Sequence, residues 1–147
     1  PYVEDLILMA AGGNFEMNKK QKSCLRGSIN PKLDKKSRLE AIECAFFAKG
    51  NDGSIWLNGW YPELAQPEIV ASEMINGDFF KRAGGKPFMI IQAAEDFIAP
   101  PEKAGKVLKA ELDDQVTYVE IPNASHALST EQPDLVSKHI IEYLERK

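Results

Sequence analysis

The chain has 147 residues, 44% of them hydrophobic and 27% charged, which is the balance of one ordinary globular domain. That balance excludes a disordered chain, a collagen and a disulfide scaffold. With 18 Lys and Arg against 22 Asp and Glu, the net charge is −4, so general nucleic-acid binding is excluded as well.

Val3 to Met9 (VEDLILM) is a short apolar run that suits a buried strand, and it ends at Ala-Ala-Gly-Gly, a strand-to-loop signal. A lysine-rich stretch follows. Lys19, Lys20, Lys22, Arg26, Lys32, Lys35, Lys36 and Arg38 are opposed only by Asp34, and the other residues carry 10 basic and 21 acidic groups. The stretch reads as a solvated excursion from an acidic body, with a basic lid or docking surface as the alternative. Ser37 and Glu40 have the spacing of a capping box, and Leu39, Ile42 and Phe46 recur at helical spacing. A helix is therefore predicted from Arg38 to Ala48, stopped by Gly50, Asn51, Asp52 and Gly53. Trp56, Trp60 and Tyr61 crowd the next turn. A second helix is predicted from Pro62 to Ile75.

The last third is more regular. Pro87 to Ala93 reads as a buried strand. Pro101 to Leu112 reads as an amphipathic helix with proline in its first turn. Val116 to Ile121 reads as a strand ended by Pro122. Ser129 to Leu144 reads as a helix that opens on a second capping box, Ser129-x-x-Gln132, and buries Val136, Ile140, Tyr143 and Leu144. Strand, helix, strand, helix calls for parallel strands joined by crossovers. No apolar run approaches the roughly 20 residues of a membrane helix. No stretch reads as a signal peptide, so no membrane partner and a cytoplasmic location are expected. Cys24 and Cys44 form no Cys-x-x-Cys or Cys/His metal spacing. Cys24 is expected to be an ordinary thiol, and neither a metal nor a cofactor is expected.

Two loops carry the chemistry. Both follow a strand at its C-terminal end, where open α/β sheets place their sites. The first, Gln92 to Pro101, contains Glu95 and Asp96. The second, Ile121 to Leu128, contains His126. If the strands are parallel neighbours, Asp96 and His126 can meet. A carboxylate on one ring nitrogen fixes the tautomer and leaves the other nitrogen free to act as a base. The plainer readings are a helix cap for Asp96 and a structural loop histidine for His126. His139 reads as surface or packing. Ser125 adjoins His126 too closely in sequence to serve as its nucleophile. Gly84-Gly85 is a turn signal and not a phosphate loop, because no helix follows it.

Pro87–Pro101, Val116–His126 and the Glu131-Gln132-Pro133 helix start together resemble the C-terminal part of the α/β-hydrolase superfamily. Asp96-Phe-Ile-Ala-Pro100 resembles that family's acid loop, and Asn123-Ala-Ser-His126-Ala-Leu128 its histidine loop. Ser125 stands where a glycine commonly precedes the histidine. Val3–Gly13 resembles the sixth strand and the loop beyond it, and Phe46 to Pro62 the cap of hydrolases acting on small esters or related acyl substrates. The resemblance selects Asp96 over Glu95 as the acid and makes Asn14 a weaker alternative. Trp56, Trp60 and Tyr61 read as aromatics of the cap core, with lining of an acyl pocket, and so binding of the substrate, as the second reading.

The family's nucleophile lies on an upstream Gly-x-Ser-x-Gly elbow, and no such elbow occurs in these residues. Gly27-Ser28 lies in the basic stretch and follows no strand. The expected architecture is therefore a partial α/β-hydrolase domain over 1–147. Residues 1–13 would form the first strand and its loop, 14–83 a helical cap, and 84–147 the strand-helix-strand-helix unit with Asp96 and His126. About three parallel strands with flanking helices are expected. The implied function is the C-terminal portion of a serine-dependent, esterase-like hydrolase for a small-molecule substrate. A non-catalytic binding or assembly module on the same frame is the alternative. In the family the sixth strand lies between the fifth and seventh, so Val3–Met9 is expected to offer an open edge. The expected partner there is the N-terminal half of the hydrolase or a second copy of this chain.

Overall fold

A computed structural model of the chain describes residues 3–11, 15–58, 62–74 and 85–146. The elements in order are β1 (Ile7–Met9), α1 (Lys19–Ser28), α2 (Lys35–Phe46), a 3-10 turn (Ser54–Leu57) and α3 (Pro62–Glu73). They continue with β2 (Phe88–Ala93), a 3-10 turn (Pro101–Lys103), α4 (Gly105–Leu112), a 3-10 turn (Asp113–Gln115) and β3 (Val116–Ile121). α5 (Leu128–Glu131) and α6 (Pro133–Glu145) complete the chain.

The three strands form one parallel sheet in the order β1-β2-β3. Ile7 pairs with Met89, and Phe88 with Val116. β2 is the central strand, and all of its residues are buried. Its alternation divides the core between the two faces. Met89, Ile91 and Ala93 pack with Val136 and Tyr143 of α6 on one face. Phe88 and Ile90 pack with Leu108 of α4 on the other. A strand covered on both faces reads as a continuous apolar run, which is how Pro87–Ala93 reads in the sequence. β1 is shorter than the Val3–Met9 expected, because Val3 and Glu4 are exposed and only Ile7–Met9 match residues on β2.

α4 begins at a close contact. A Cβ added to Gly105 would stand 2.7 Å from Tyr118 Cε2, 3.0 Å from Gln92 Oε1 and 3.1 Å from Ile90 Cγ2. Glycine there lets the helix lie directly on β2 and β3. Overpacking at such a site outweighs the helix propensity alanine gains. Gly105→Ala is expected to cost about 1 to 2 kcal/mol, read as a lower urea midpoint at constant slope. An unchanged midpoint would show that the helix can lift off at no cost.

Residues 15–58 fold into a helical layer that packs against the loops after β2 and β3. α1 was not anticipated from the sequence, because its inward face is Gln21, Cys24 and Ser28 and not an apolar stripe. Its start was nevertheless encoded. Asn18 Oδ1 accepts the Gln21 N–H at 2.9 Å, and Gln21 Oε1 accepts the Asn18 N–H at 2.7 Å, a complete capping box. α2 starts earlier than predicted, and Asp34 caps it in place of the Ser37-Glu40 box. Asp34 Oδ1 accepts the N–H groups of Lys36 and Ser37 at 3.0 Å, and the Ser37 hydroxyl is spent on Asp34 Oδ2 at 2.7 Å. Most of the basic stretch is the solvated outside of this helical pair. Lys19, Lys20, Arg26, Lys32, Lys35 and Lys36 are exposed, whereas Arg38 donates to the Leu57 carbonyl and holds the 3-10 turn against α2.

The reading of Cys24 as an ordinary thiol is corrected: Cys24 and Cys44 are joined by a disulfide, their Cα atoms 5.8 Å apart. The bond became possible because α1 and α2 form a tight pair, in which a Cβ on Gly27 would stand 2.8 Å from the Ala41 Cβ. Without α1 in the sequence-level picture, nothing placed the two cysteines side by side.

The predicted helix Ser129–Leu144 is two helices. Gln132 has φ −134° and ψ 56° and separates α5 from α6. Pro133 is the cause, since a residue before proline is held out of the helical region. The Ser129-Gln132 capping box is accordingly absent, and the Gln132 amide donates instead to the Asn123 carbonyl at 3.1 Å. Among the described residues no helix is long and apolar enough to cross a membrane.

Candidate active site

β2 and β3 run parallel and side by side, so the loops leaving their C-terminal ends emerge on the same edge. Two backbone bonds tie the loops together just past the strands. Ala94 N–H donates to the Ile121 carbonyl at 2.9 Å, and Glu95 N–H to the Ala124 carbonyl at 3.0 Å. This junction brings Asp96 and His126 together. His126 Nδ1 lies 3.0 Å from Asp96 Oδ2 and 3.1 Å from Oδ1. The Asp96 side chain is fully buried, and the His126 side chain is 26% exposed.

Asp96 does not cap the turn at Pro101, which has no side-chain cap. It organises its own loop instead. Oδ1 accepts the N–H groups of Ala99 at 2.7 Å and Ile98 at 3.0 Å, and Oδ2 accepts the Gln92 amide at 3.1 Å. Gln92 is held in turn by its second bond, to the Ala99 carbonyl at 2.8 Å. A carboxylate only accepts, so His126 Nδ1 carries the proton and Nε2 keeps its lone pair. Among the described residues no hydrogen bond reaches Nε2. The Phe46 ring lies beside the imidazole at 5.9 Å between centroids, tilted by 35°. The arrangement can take a proton at Nε2 of a partly exposed ring while a buried carboxylate steadies the charged ring.

Trp56 packs against Phe46 at 5.3 Å and against Phe47 at 5.2 Å. It sits in the helical layer's apolar cluster, one ring removed from His126. Trp60, Tyr61 and Asn14 lie outside the described residues. Glu95 is exposed. His139 stands 3.4 Å from Glu142 on α6, in a surface pair.

Three side chains support the site that sequence reasoning did not single out. Gln92 holds the acid, and its signal was a polar residue inside an apolar strand. Gln21 on α1 donates to the Phe97 carbonyl of the acid loop at 2.6 Å. Glu131 accepts the Ser125 N–H beside His126 at 2.7 Å. Ser125, buried, accepts the Phe97 N–H on its hydroxyl at 3.3 Å and so links the histidine loop to the acid loop.

No protein-family model matches the chain, and no curated protein matches it. Solved structures do. The chain is similar to a thermophilic esterase from Thermogutta terrifontis, with 18% identity and a TM-score of 0.58 over 97% of this chain and 56% of that one. A bromoperoxidase from Bacillus anthracis gives 18% identity and a TM-score of 0.61 over 85% and 48%. The 2-hydroxy-6-oxo-6-phenylhexa-2,4-dienoate hydrolase from Rhodococcus sp. strain RHA1 gives 14% and 0.63 over 96% and 55%. The fold is that of the α/β-hydrolases. The chain spans about half the length of these structures and corresponds to the C-terminal portion of the hydrolase fold. The loops after β2 and β3 carry Asp96 and His126.

Proposed function

We propose that these residues are the C-terminal portion of a serine-dependent α/β-hydrolase that cleaves an ester or a related acyl substrate. The observation that carries this reading is the 3.0 Å contact between His126 Nδ1 and the buried Asp96 carboxylate. A non-catalytic module on the same frame has no need of such a pair, so the contact favours the catalytic reading. His126 Nε2 takes the proton of a serine hydroxyl as it attacks the acyl carbon. Asp96 holds the ring and stabilises its positive charge. The imidazolium then protonates the leaving group, and water releases the acid by the same route in reverse. The serine belongs to a segment outside these residues, which contain no Gly-x-Ser-x-Gly elbow. In this reading Trp56, Trp60 and Tyr61 bind the substrate.

The N-terminal half of the hydrolase, or a second copy of this chain, pairs along β1, whose only strand neighbour among the described residues is β2. The Cys24–Cys44 bond fits an oxidising compartment better than the cytoplasm expected from the sequence.

The test is an assay with p-nitrophenyl acetate. The 147-residue chain alone is expected to show no turnover above the spontaneous rate. Supplied with a portion bearing the serine elbow, it is expected to gain turnover that His126→Ala lowers by about 10⁴-fold. Turnover by the chain alone that disappears in His126→Ala would place a nucleophile within these residues and overturn the reading.

A further inference from the structure

The Glu131 carboxylate is the meeting point of three N–H donors from two separate segments. Oε1 accepts the Ala48 N–H at 2.6 Å and the Asn51 amide at 2.7 Å, both just beyond the end of α2. Oε2 accepts the Ser125 N–H at 2.7 Å, immediately before His126. Two further bonds run alongside. Ala127 N–H donates to the Phe46 carbonyl at 2.8 Å, and the Asn51 amide also reaches the Asn123 carbonyl at 3.1 Å. His126 is therefore flanked on one side by a direct bond from Ala127 to the Phe46 carbonyl and on the other by the Ser125 N–H on Glu131, whose second oxygen holds Ala48 and Asn51. The ring of Phe46, the last residue of that helix, lies beside the imidazole.

We propose that Glu131 is a positioning residue that sets the orientation of His126 by locking the histidine loop to the end of α2. The proposal rests on the reading of Asp96 and His126 as acid and base. Its physical basis is charge-assisted bonding: N–H donors on a carboxylate are shorter and about twice as strong as those on a neutral acceptor. The linkage continues through Ser125, whose hydroxyl accepts from Phe97 in the acid loop. A serine in the place where the family commonly has glycine thus adds a bond between the two loops. The effect of Glu131 on His126 passes through the Ser125 backbone, so the hydroxyl is an accessory to it.

The test is NMR on the ¹⁵N-labelled full chain, reading the His126 Nδ1 proton and the backbone amides. The wild type is expected to show a downfield, slowly exchanging Nδ1 proton, and Asp96→Asn to abolish it. Glu131→Gln keeps the size of the side chain but turns an NH₂ toward at least one of the donors. It is expected to speed exchange of the Ser125 amide at least tenfold and to broaden or remove the Nδ1 proton, with the β2 amides still protected. Ser125→Ala is expected to leave the Nδ1 proton in place. Glu131→Asp, one methylene too short to span the segments, serves the same test if Glu131→Gln does not fold. A faster Ser125 amide with an unchanged Nδ1 proton would overturn the positioning role and leave the Asp96–His126 pair intact. A wild type with no Nδ1 proton signal sensitive to Asp96→Asn would overturn the pair itself, and the positioning role with it.

Discussion

Asp96→Ala is expected to destabilise the chain by about 3 to 5 kcal/mol, because it strands several buried donors at once. Ile98 N–H, Ala99 N–H and His126 Nδ1 lose their acceptor, and the Gln92 amide keeps only its bond to the Ala99 carbonyl. Each unpaired buried donor costs about 1 to 3 kcal/mol, and partial collapse of the loop recovers some of the sum. Asp96→Asn separates this structural role from the chemical one. Its carbonyl oxygen can still serve Ile98 and Ala99, so its stability loss is expected to be the smaller. Its NH₂ group faces two groups that themselves donate, Gln92 and His126 Nδ1. The imidazole can relieve that conflict only by moving its proton to Nε2, which removes the base. In a chain supplied with its serine, Asp96→Asn is therefore expected to lower kcat by about 10⁴-fold while leaving the fold in place. Urea denaturation and ester turnover measure the two effects. Asp96→Ala within about 1 kcal/mol of the wild type would mean that water replaces the carboxylate at every donor.

The second large effect concerns the disulfide. Replacing Cys24 and Cys44 together by alanine, or reducing the bond, is expected to cost about 3 kcal/mol. The estimate follows from the loop the bond closes, with a sequence separation of 20. The consequence should reach the site. α1 carries Gln21, which holds the Phe97 carbonyl, and α2 carries Phe46 beside His126. Reduction should therefore lower the urea midpoint and also speed exchange of the acid-loop amides before global unfolding. A midpoint unaffected by dithiothreitol would mean that helix packing alone, with Gly27 against Ala41, holds the pair together.

The sheet was legible because its strands obey simple rules. A buried parallel strand is a short apolar run bounded by turn residues, and β2 follows that pattern, whereas β3 is buried only at Val116 and Ile121 and is marked by its β-branched and aromatic residues and by Pro122 after it. The two chemical loops were legible because each follows such a strand, and parallel neighbours must release their loops on one edge. The helical layer was only partly legible. α2 carries an apolar spacing, but α1 buries a glutamine, a cysteine and a serine, which leave no hydrophobic period. The split between α5 and α6 was written in Pro133, yet the apolar stripe running through 136–144 masked it.

The sequence by itself determined the parallel strands and the two loops that carry Asp96 and His126. These depend on local patterns and on the direction in which a strand points. Tertiary structure decided what holds the pair in place: Gln92 on the acid, Glu131 on the histidine loop, Ser125 between the loops, and the Cys24–Cys44 bond behind them. Those contacts join residues far apart in the chain, such as Ala48 with Glu131 and Gln21 with Phe97. A hydrogen bond between distant segments leaves no period and no spacing in a single sequence, so only the folded chain can display it.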